Sequence, residues 1–106
     1  MVQVKWANQA FYDLKEIHDF IARDSVQYAK IQVERILDEV LNLSHFPLIG
    51  RCVPEFPDLP YREIIVGNYR TIYKIKEKQN CIFIMFIVHG RQLLEKHIKK
   101  IKSREM

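Results

Sequence analysis

Four side chains within Tyr61–Arg91 have the chemistry to act on a phosphate: Arg62, Arg70, His89 and Arg91. Cutting RNA without a metal needs a base for the 2′-hydroxyl, cations for the charged transition state and an acid for the leaving 5′-oxygen. One imidazole and three guanidinium groups answer the first two needs. A second acid–base group is not evident after His89, where the chain continues Gln92-Leu93-Leu94, and all five tyrosines precede residue 74. The same residues suit another task, which is gripping an acidic partner. His89 admits three roles: a strand-end histidine bonded to a carbonyl, a partner contact, or a general acid or base. Arg62 admits two, as a partner contact or as the ion-pair partner of a helix carboxylate such as Glu34 or Asp38. Arg70 is expected on an exposed strand face and is the stronger candidate for function.

Other chemistries find no support in the sequence. With only Gly50, Gly67 and Gly90, there is no glycine-rich phosphate loop. Cys52 and Cys81 lack a CxxC neighbour, and His18, His45 and His97 are scattered over different elements, so neither a metal site nor a cofactor is expected. No serine or cysteine nucleophile motif occurs. Basic residues do not gather on one recognition helix, so direct DNA reading is not expected of this chain.

The elements that must position these groups follow from periodicity. At 106 residues, 48% of them apolar, the chain has the size of one domain spanning residues 1–106. Val2–Trp6 alternates as a half-buried strand does, and Asn8 is placed to cap a helix. Ala10, Leu14, Ile17 and Ile21 form one apolar stripe, with Asp13, Glu16 and Asp19 turned toward water. Ser25 caps a second helix whose stripe is Ala29, Val33, Ile36, Leu37, Val40 and Leu43. So short a connection makes the two helices an antiparallel hairpin. Phe46–Pro60 is a proline-rich loop.

Three strands then follow. Tyr61–Val66 and Tyr69–Lys76 flank a two-residue turn, Gly67-Asn68, and Cys81–Val88 is apolar throughout, as a strand covered on both faces is. Tyr69, Thr71, Tyr73 and Ile75 belong against the helices, while Arg70, Ile72, Lys74 and Lys76 look outward. Trp6 plugs the core under the hairpin. The order strand, helical hairpin, three-stranded antiparallel meander, short C-terminal helix or tail defines an α+β fold. That last segment, with Leu94, Ile98 and Ile101 on one helical face, is a candidate cover for the second face of the sheet.

Charge is distributed unevenly. Residues 1–90 hold eleven Lys/Arg against eleven Asp/Glu, so the net +4 resides wholly in residues 91–106. There Arg91, Lys96, Lys99 and Lys100 form a basic end suited to an acidic partner or nucleic acid, or simply a solvated terminus. No apolar run approaches the ~20 residues of a membrane span, and the start lacks a secretory signal, so a reduced cytoplasmic protein is expected.

Several motifs occur in a telling order: a strand ending at Trp6, the Asp13–Ile21 helix, Asp24-Ser25, FPLIGR at Phe46–Arg51, VPE at Val53–Glu55, then YRE, YRTIYKI and IVHGRQ. Over about residues 2–94 this ordered set resembles the RelE/ParE superfamily of bacterial toxins from type II toxin–antitoxin pairs. The resemblance implies a protein that halts growth unless a cognate antitoxin wraps and blocks it, with any DNA contact made by the antitoxin. RelE-like members are ribosome-dependent mRNA endonucleases; ParE-like members poison DNA gyrase. The long hairpin, the FPLIGR…VPE connection and the HGR ending resemble ParE more closely. RelE-type nucleases tend to place a tyrosine or a His-Tyr pair just past the last strand, a position this chain fills with Gln92-Leu93-Leu94. The expectation is therefore a toxin that binds gyrase or another topoisomerase through Arg62, Arg70, His89, Arg91 and the C-terminal lysines. The alternative is an mRNA endonuclease acting at the ribosome through Arg70, His89 and Arg91.

Overall fold

The apolar stripes dictate the helices, and in the computed structural model, which describes residues 2–90, both form. Strand β1 (Gln3–Trp6) leads into α1 (Asn8–Ala22) and α2 (Val26–Asn42). Ala10 and Ile17 of α1 and Ala29, Ile36 and Val40 of α2 are buried, whereas Leu37 remains exposed and Gln32 takes a buried place instead. The Gln32 amide donates to the Val66 carbonyl at 3.2 Å, which satisfies a polar group inside the packed face. Ser25 caps α2, its Oγ accepting from the Tyr28 N–H at 3.1 Å. Asn8 does not cap α1. It is the first helical residue, and Ala7 in the capping position offers no side-chain acceptor.

Strands β2 (Arg51–Cys52), β3 (Tyr61–Val66), β4 (Tyr69–Lys76) and β5 (Cys81–His89) complete a mixed sheet of order β1-β5-β4-β3-β2. Among the described residues, β1 alone runs parallel to its neighbour, β5; the other pairs are antiparallel. Gly67 begins the β3–β4 turn at φ +62°, the left-handed region that glycine enters without steric cost. The short strand β2 lies inside the stretch expected to be loop.

Because β1 ends at Trp6, the β5 backbone beyond Ile84 loses its strand partner on that side. Asp13, expected to face water, supplies the missing acceptor: its Oδ2 receives the Ile87 N–H at 2.9 Å. Its Oδ1 accepts from the Gln9 amide at 2.8 Å. Trp6 is half-buried and stacks on Phe11, ring centroids 5.3 Å apart, at the margin of the core.

Two cores flank the sheet. Facing the helices are Val66, Tyr73, Ile82, Ile84 and Ile87, with Ile64, Tyr69 and Ile75 at the margin. On the other face Tyr61, Ile72, Met85, Phe86 and Val88 pack with Val53, and with Phe56 and Leu59 at the edge. The second face is therefore covered by the Val53–Leu59 connection, since an apolar central strand must be dry on both sides. The C-terminal segment 91–106, the expected cover, lies outside the described residues. A bulge sets which β5 residues face which core: Ile72 pairs with Phe86 but Tyr73 with Ile84, so Met85 is the extra residue. It reverses the alternation, and Ile82, Ile84 and Ile87 all reach the helical side.

Candidate functional site

The sheet's second face ends, near the Gly67-Asn68 turn, in a cleft of about 300 Å³ bordered by Arg51, Ile65, Arg70 and His89. Two of its lining residues, Arg51 and Arg70, belong to a chain of four charges. Glu63, with a fully buried side chain, accepts from Arg51 Nε at 2.7 Å through Oε1 and from Arg70 Nε at 2.6 Å through Oε2. Arg70 then clasps Glu55 with two bonds, Nη1 to Oε2 at 2.6 Å and Nη2 to Oε1 at 2.8 Å. The strand register explains the group: Arg51 lies opposite Glu63 across β2–β3, and Arg70 lies opposite Ile65, one step diagonal from Glu63.

Arg70 is thus not on an exposed face. It is 8% exposed and its donors are turned toward two carboxylates, because the loop carrying Glu55 folds over the face that looked open. The Glu55 bonds raise its pKa further above the ordinary guanidinium range, with Glu63 adding to this and burial opposing it. Reciprocally, the Arg70 hydrogen bonds hold the Glu55 carboxyl below its usual 4.5, burial again opposing. A carboxyl whose pKa falls on folding adds stability above its unfolded pKa, and that stability is lost as pH falls through the lower folded value. Acid should therefore loosen the Glu55 strap below about pH 4.5. The effect is small, Glu55 being 41% exposed. Urea midpoints measured from pH 7 to pH 3 should fall less steeply for Glu55→Gln than for the wild type; parallel curves would show that the strap contributes nothing.

Arg62 also departs from expectation. It pairs with neither Glu34 nor Asp38; its Nη1 donates to the Gly50 carbonyl at 2.7 Å and approaches that of Leu48 at 3.5 Å. The cross-strand partner of Arg62 holds the same loop: Tyr73 Oη donates to the Pro47 carbonyl at 2.8 Å and accepts the Gly50 N–H at 3.0 Å. Burial raises the Tyr73 pKa against the pull of that N–H, so the phenol stays protonated and able to donate. Segment 46–51 is consequently pinned, and it holds Phe46, Leu48 and Ile49 out in solvent.

His89 lies opposite Tyr69 in the β4–β5 register, and their rings meet edge to face with centroids 5.5 Å apart. Burial raises the Tyr69 pKa. Cross-strand partners share a face, so this pair lies on the helical side of the sheet while Arg51 and Arg70 lie on the other. The cleft touches His89 where β5 ends. Arg91, Lys96, Lys99 and Lys100 lie outside the described residues. Among the described residues, no group of three or more His, Cys, Asp or Glu side chains is arranged to hold a metal, and no helix is long and apolar enough to cross a membrane.

Sequence reasoning missed Arg51, Glu55 and Glu63 as members of the charge chain. For the Glu63–Arg70 half a signal existed: with Gly67-Asn68 taken as a two-residue turn, the hairpin register already places Glu63 diagonal to Arg70.

A sequence model of the ParE toxin of the type II toxin–antitoxin system parDE matches residues 4–94. No curated protein sequence matches significantly. Among solved structures, a chain of the chromosomal ParDE toxin–antitoxin system from P. aeruginosa aligns with TM-score 0.69 at 21% identity, over 84% of this chain and 96% of that one. The RelBE2 toxin–antitoxin complex from Mycobacterium tuberculosis gives a TM-score of 0.62 at 19% identity, covering 83% of this chain and 96% of that one. A mutant of the E. coli toxin RelE in the free state gives 0.67 at 12% identity, covering 99% and 98%. At these identities the structures establish a shared α+β fold, and the sequence match over residues 4–94 carries the assignment further: the chain belongs to the ParE toxin family of type II toxin–antitoxin systems, within the RelE/ParE superfamily.

Proposed function

We propose that this chain halts growth by gripping a type II topoisomerase, DNA gyrase foremost, rather than by cutting RNA, and that a cognate antitoxin neutralises it. The observation that carries this reading is the engagement of Arg70, the buried cation of the cleft, by two carboxylates. A metal-free nuclease needs its acid–base groups and its phosphate-holding cations around one phosphorus atom. Here His89 borders the cleft of Arg51 and Arg70 where β5 ends, but Tyr69 packs on the helical side and the Arg70 guanidinium is occupied by Glu55 and Glu63.

A protein partner is also favoured by what is exposed. Phe11, Phe20, Val26 and Leu41 of the helical hairpin stand in solvent, as do Leu48 and Ile49 of the pinned loop. Apolar surface on this scale fits a protein interface better than a phosphate backbone. The hairpin and the outer groove of the sheet would receive the antitoxin, as a helix or an added strand; solved relatives of this fold come from toxin–antitoxin pairs. Direct DNA contact would come from the antitoxin. His89, Arg91, Lys96, Lys99 and Lys100 remain the proposed target-facing residues.

One observation favours a second reading, an mRNA endonuclease acting at the ribosome. The contact between Tyr69 and His89 supplies in space the tyrosine that does not follow β5 in sequence. Controlled induction in cells lacking the antitoxin separates the two. Gyrase poisoning is expected to give filaments, DNA breaks and an SOS response while translation continues. Collapse of translation within minutes, abolished by His89→Ala, would establish the nuclease instead. Harmless expression at high level would exclude both and leave an inert antitoxin-binding member of the family.

A further inference from the structure

We infer that Arg51 is the receptor for an acidic side chain of a protein partner, in the cleft beside Ile65 and the Gly67-Asn68 turn. The two arginines of the cleft differ in what they have to offer. Arg70 is buried and its guanidinium is spent on Glu55 and Glu63. Arg51 is 59% exposed and engages Glu63 through Nε. That bond fixes the direction of the guanidinium and, among the described residues, leaves the edge formed by its two Nη groups for an incoming oxyanion. A guanidinium oriented in this way matches a carboxylate with two parallel hydrogen bonds.

Charge decides which oxyanion. Arg51, Glu63, Arg70 and Glu55 sum to zero, and Glu55 lies near enough to Arg51 for the arginine to lower its pKa. A second negative group entering here feels that carboxylate. A monoanionic carboxylate, neutralised by one guanidinium edge, fits. A nucleic-acid backbone, bringing successive phosphates past a site with no net positive charge, fits poorly.

The surroundings favour a peptide as the source of the carboxylate. Ile65, 57% exposed, borders the same cleft and gives an apolar neighbour of the partner's acidic residue a place to pack. Beside it, β2 covers Arg62 and Glu63 of β3's outer edge, and among the described residues no strand pairs with Ile64–Val66 on that side. An extended segment laid along this edge presents alternate side chains to the second face of the sheet, where Arg51 and Ile65 lie. The turn that closes the cleft is fixed, its Asn68 carbonyl accepting the Gly90 N–H at 2.7 Å. The inference rests on the proposed protein-gripping role only in taking a protein as the source of the carboxylate.

The test uses the purified 106-residue protein and three defined probes: hexaglutamate, hexaglutamine and hexauridylate RNA. Binding is read by NMR at the Arg51 Nε–Hε signal and at the backbone amides of Gly67 and Asn68. Hexaglutamate is expected to shift all three saturably, and hexaglutamine to leave them in place. Arg51→Ala should weaken hexaglutamate binding, read at Gly67 and Asn68, about fivefold, the upper range for a partly exposed ion pair. Arg51→Lys keeps a cation beside Glu63 but loses the fork, and should recover less than half of that loss. Equal shifts from hexaglutamine, tighter binding of hexauridylate at the cleft, or hexaglutamate shifts confined to residues 91–106 would each overturn the inference. Since no topoisomerase is present, failure here leaves the gyrase reading untouched, and filamentation without SOS would fail that reading alone.

Discussion

Arg70→Ala is expected to lower unfolding stability by about 3 kcal/mol, the lower end for breaking a buried ion pair. The loss comes less from the bonds removed than from what remains. Glu63, with a fully buried side chain, keeps only Arg51, which is itself largely solvated. Taking a carboxylate out of water is tolerable only when its partners answer both oxygens, and Arg70 answers Oε2. Replacing both members of the pair by apolar residues of similar size, Arg70→Met with Glu63→Leu, should recover most of the loss. Arg51 and Glu55 are exposed enough to return to water without cost. Urea denaturation of wild type, single and double variants tests the argument. A single-variant loss below about 1 kcal/mol, the range of an exposed pair, would show that the network is solvated. The experiment also separates folding from function: a poorly folded Arg70→Ala toxin is harmless whatever Arg70 does, so activity is better compared in the stable double variant.

Gly50→Ala carries an effect of similar size, about 3 kcal/mol, the upper end for forcing an extra carbon into a packed site. A Cβ at this position would meet Tyr73 Oη and come within 2.7 Å of both Tyr73 Cε1 and the Glu63 carbonyl oxygen. Strand β3 and the tyrosine ring close on the glycine from two sides, and the backbone atom among them cannot swing away. Moving the loop instead breaks the bonds from the Gly50 N–H to Tyr73, from Tyr73 to Pro47 and from Arg62 to the Gly50 carbonyl. Tyr73→Phe alone should cost about 1–2 kcal/mol, since a buried N–H loses its acceptor. Combined, the two changes should cost less than their sum, because removing the hydroxyl opens part of the space the new methyl needs. Strict additivity in thermal or urea unfolding would mean that the methyl and the hydroxyl never compete.

Both predictions fall on residues whose chemistry was evident in the sequence and whose partners were not. The hairpin, the Ser25 cap, the Gly67-Asn68 turn and the apolar β5 were legible because each rests on spacing within a few residues. Tyr69, Thr71 and Tyr73 were correctly placed toward the helices by simple alternation. The error at Arg70 has a different origin. Its face was judged by β4 alone, whereas its burial is set by Val53–Leu59, a connection with no periodicity to read. Arg62 was offered carboxylates on α2 and found carbonyls of Gly50 and Leu48, since backbone acceptors in a loop leave no trace in residue types. Asp13 looked like a surface charge until the shortness of β1 left the Ile87 N–H in need of an acceptor.

The sequence by itself determined the α+β fold, the order of its elements apart from the short β2 and, through motifs spread over residues 2–94, the toxin family, because such signals are local and survive without coordinates. Only the tertiary structure decided which charged groups meet. One bulged residue, Met85, sets the face on which His89 lies, and one loop, carrying Glu55, turns Arg70 from a reaching cation into an internal strap. The sign and direction of a charge depend on neighbours distant in the chain, and folding alone brings those together.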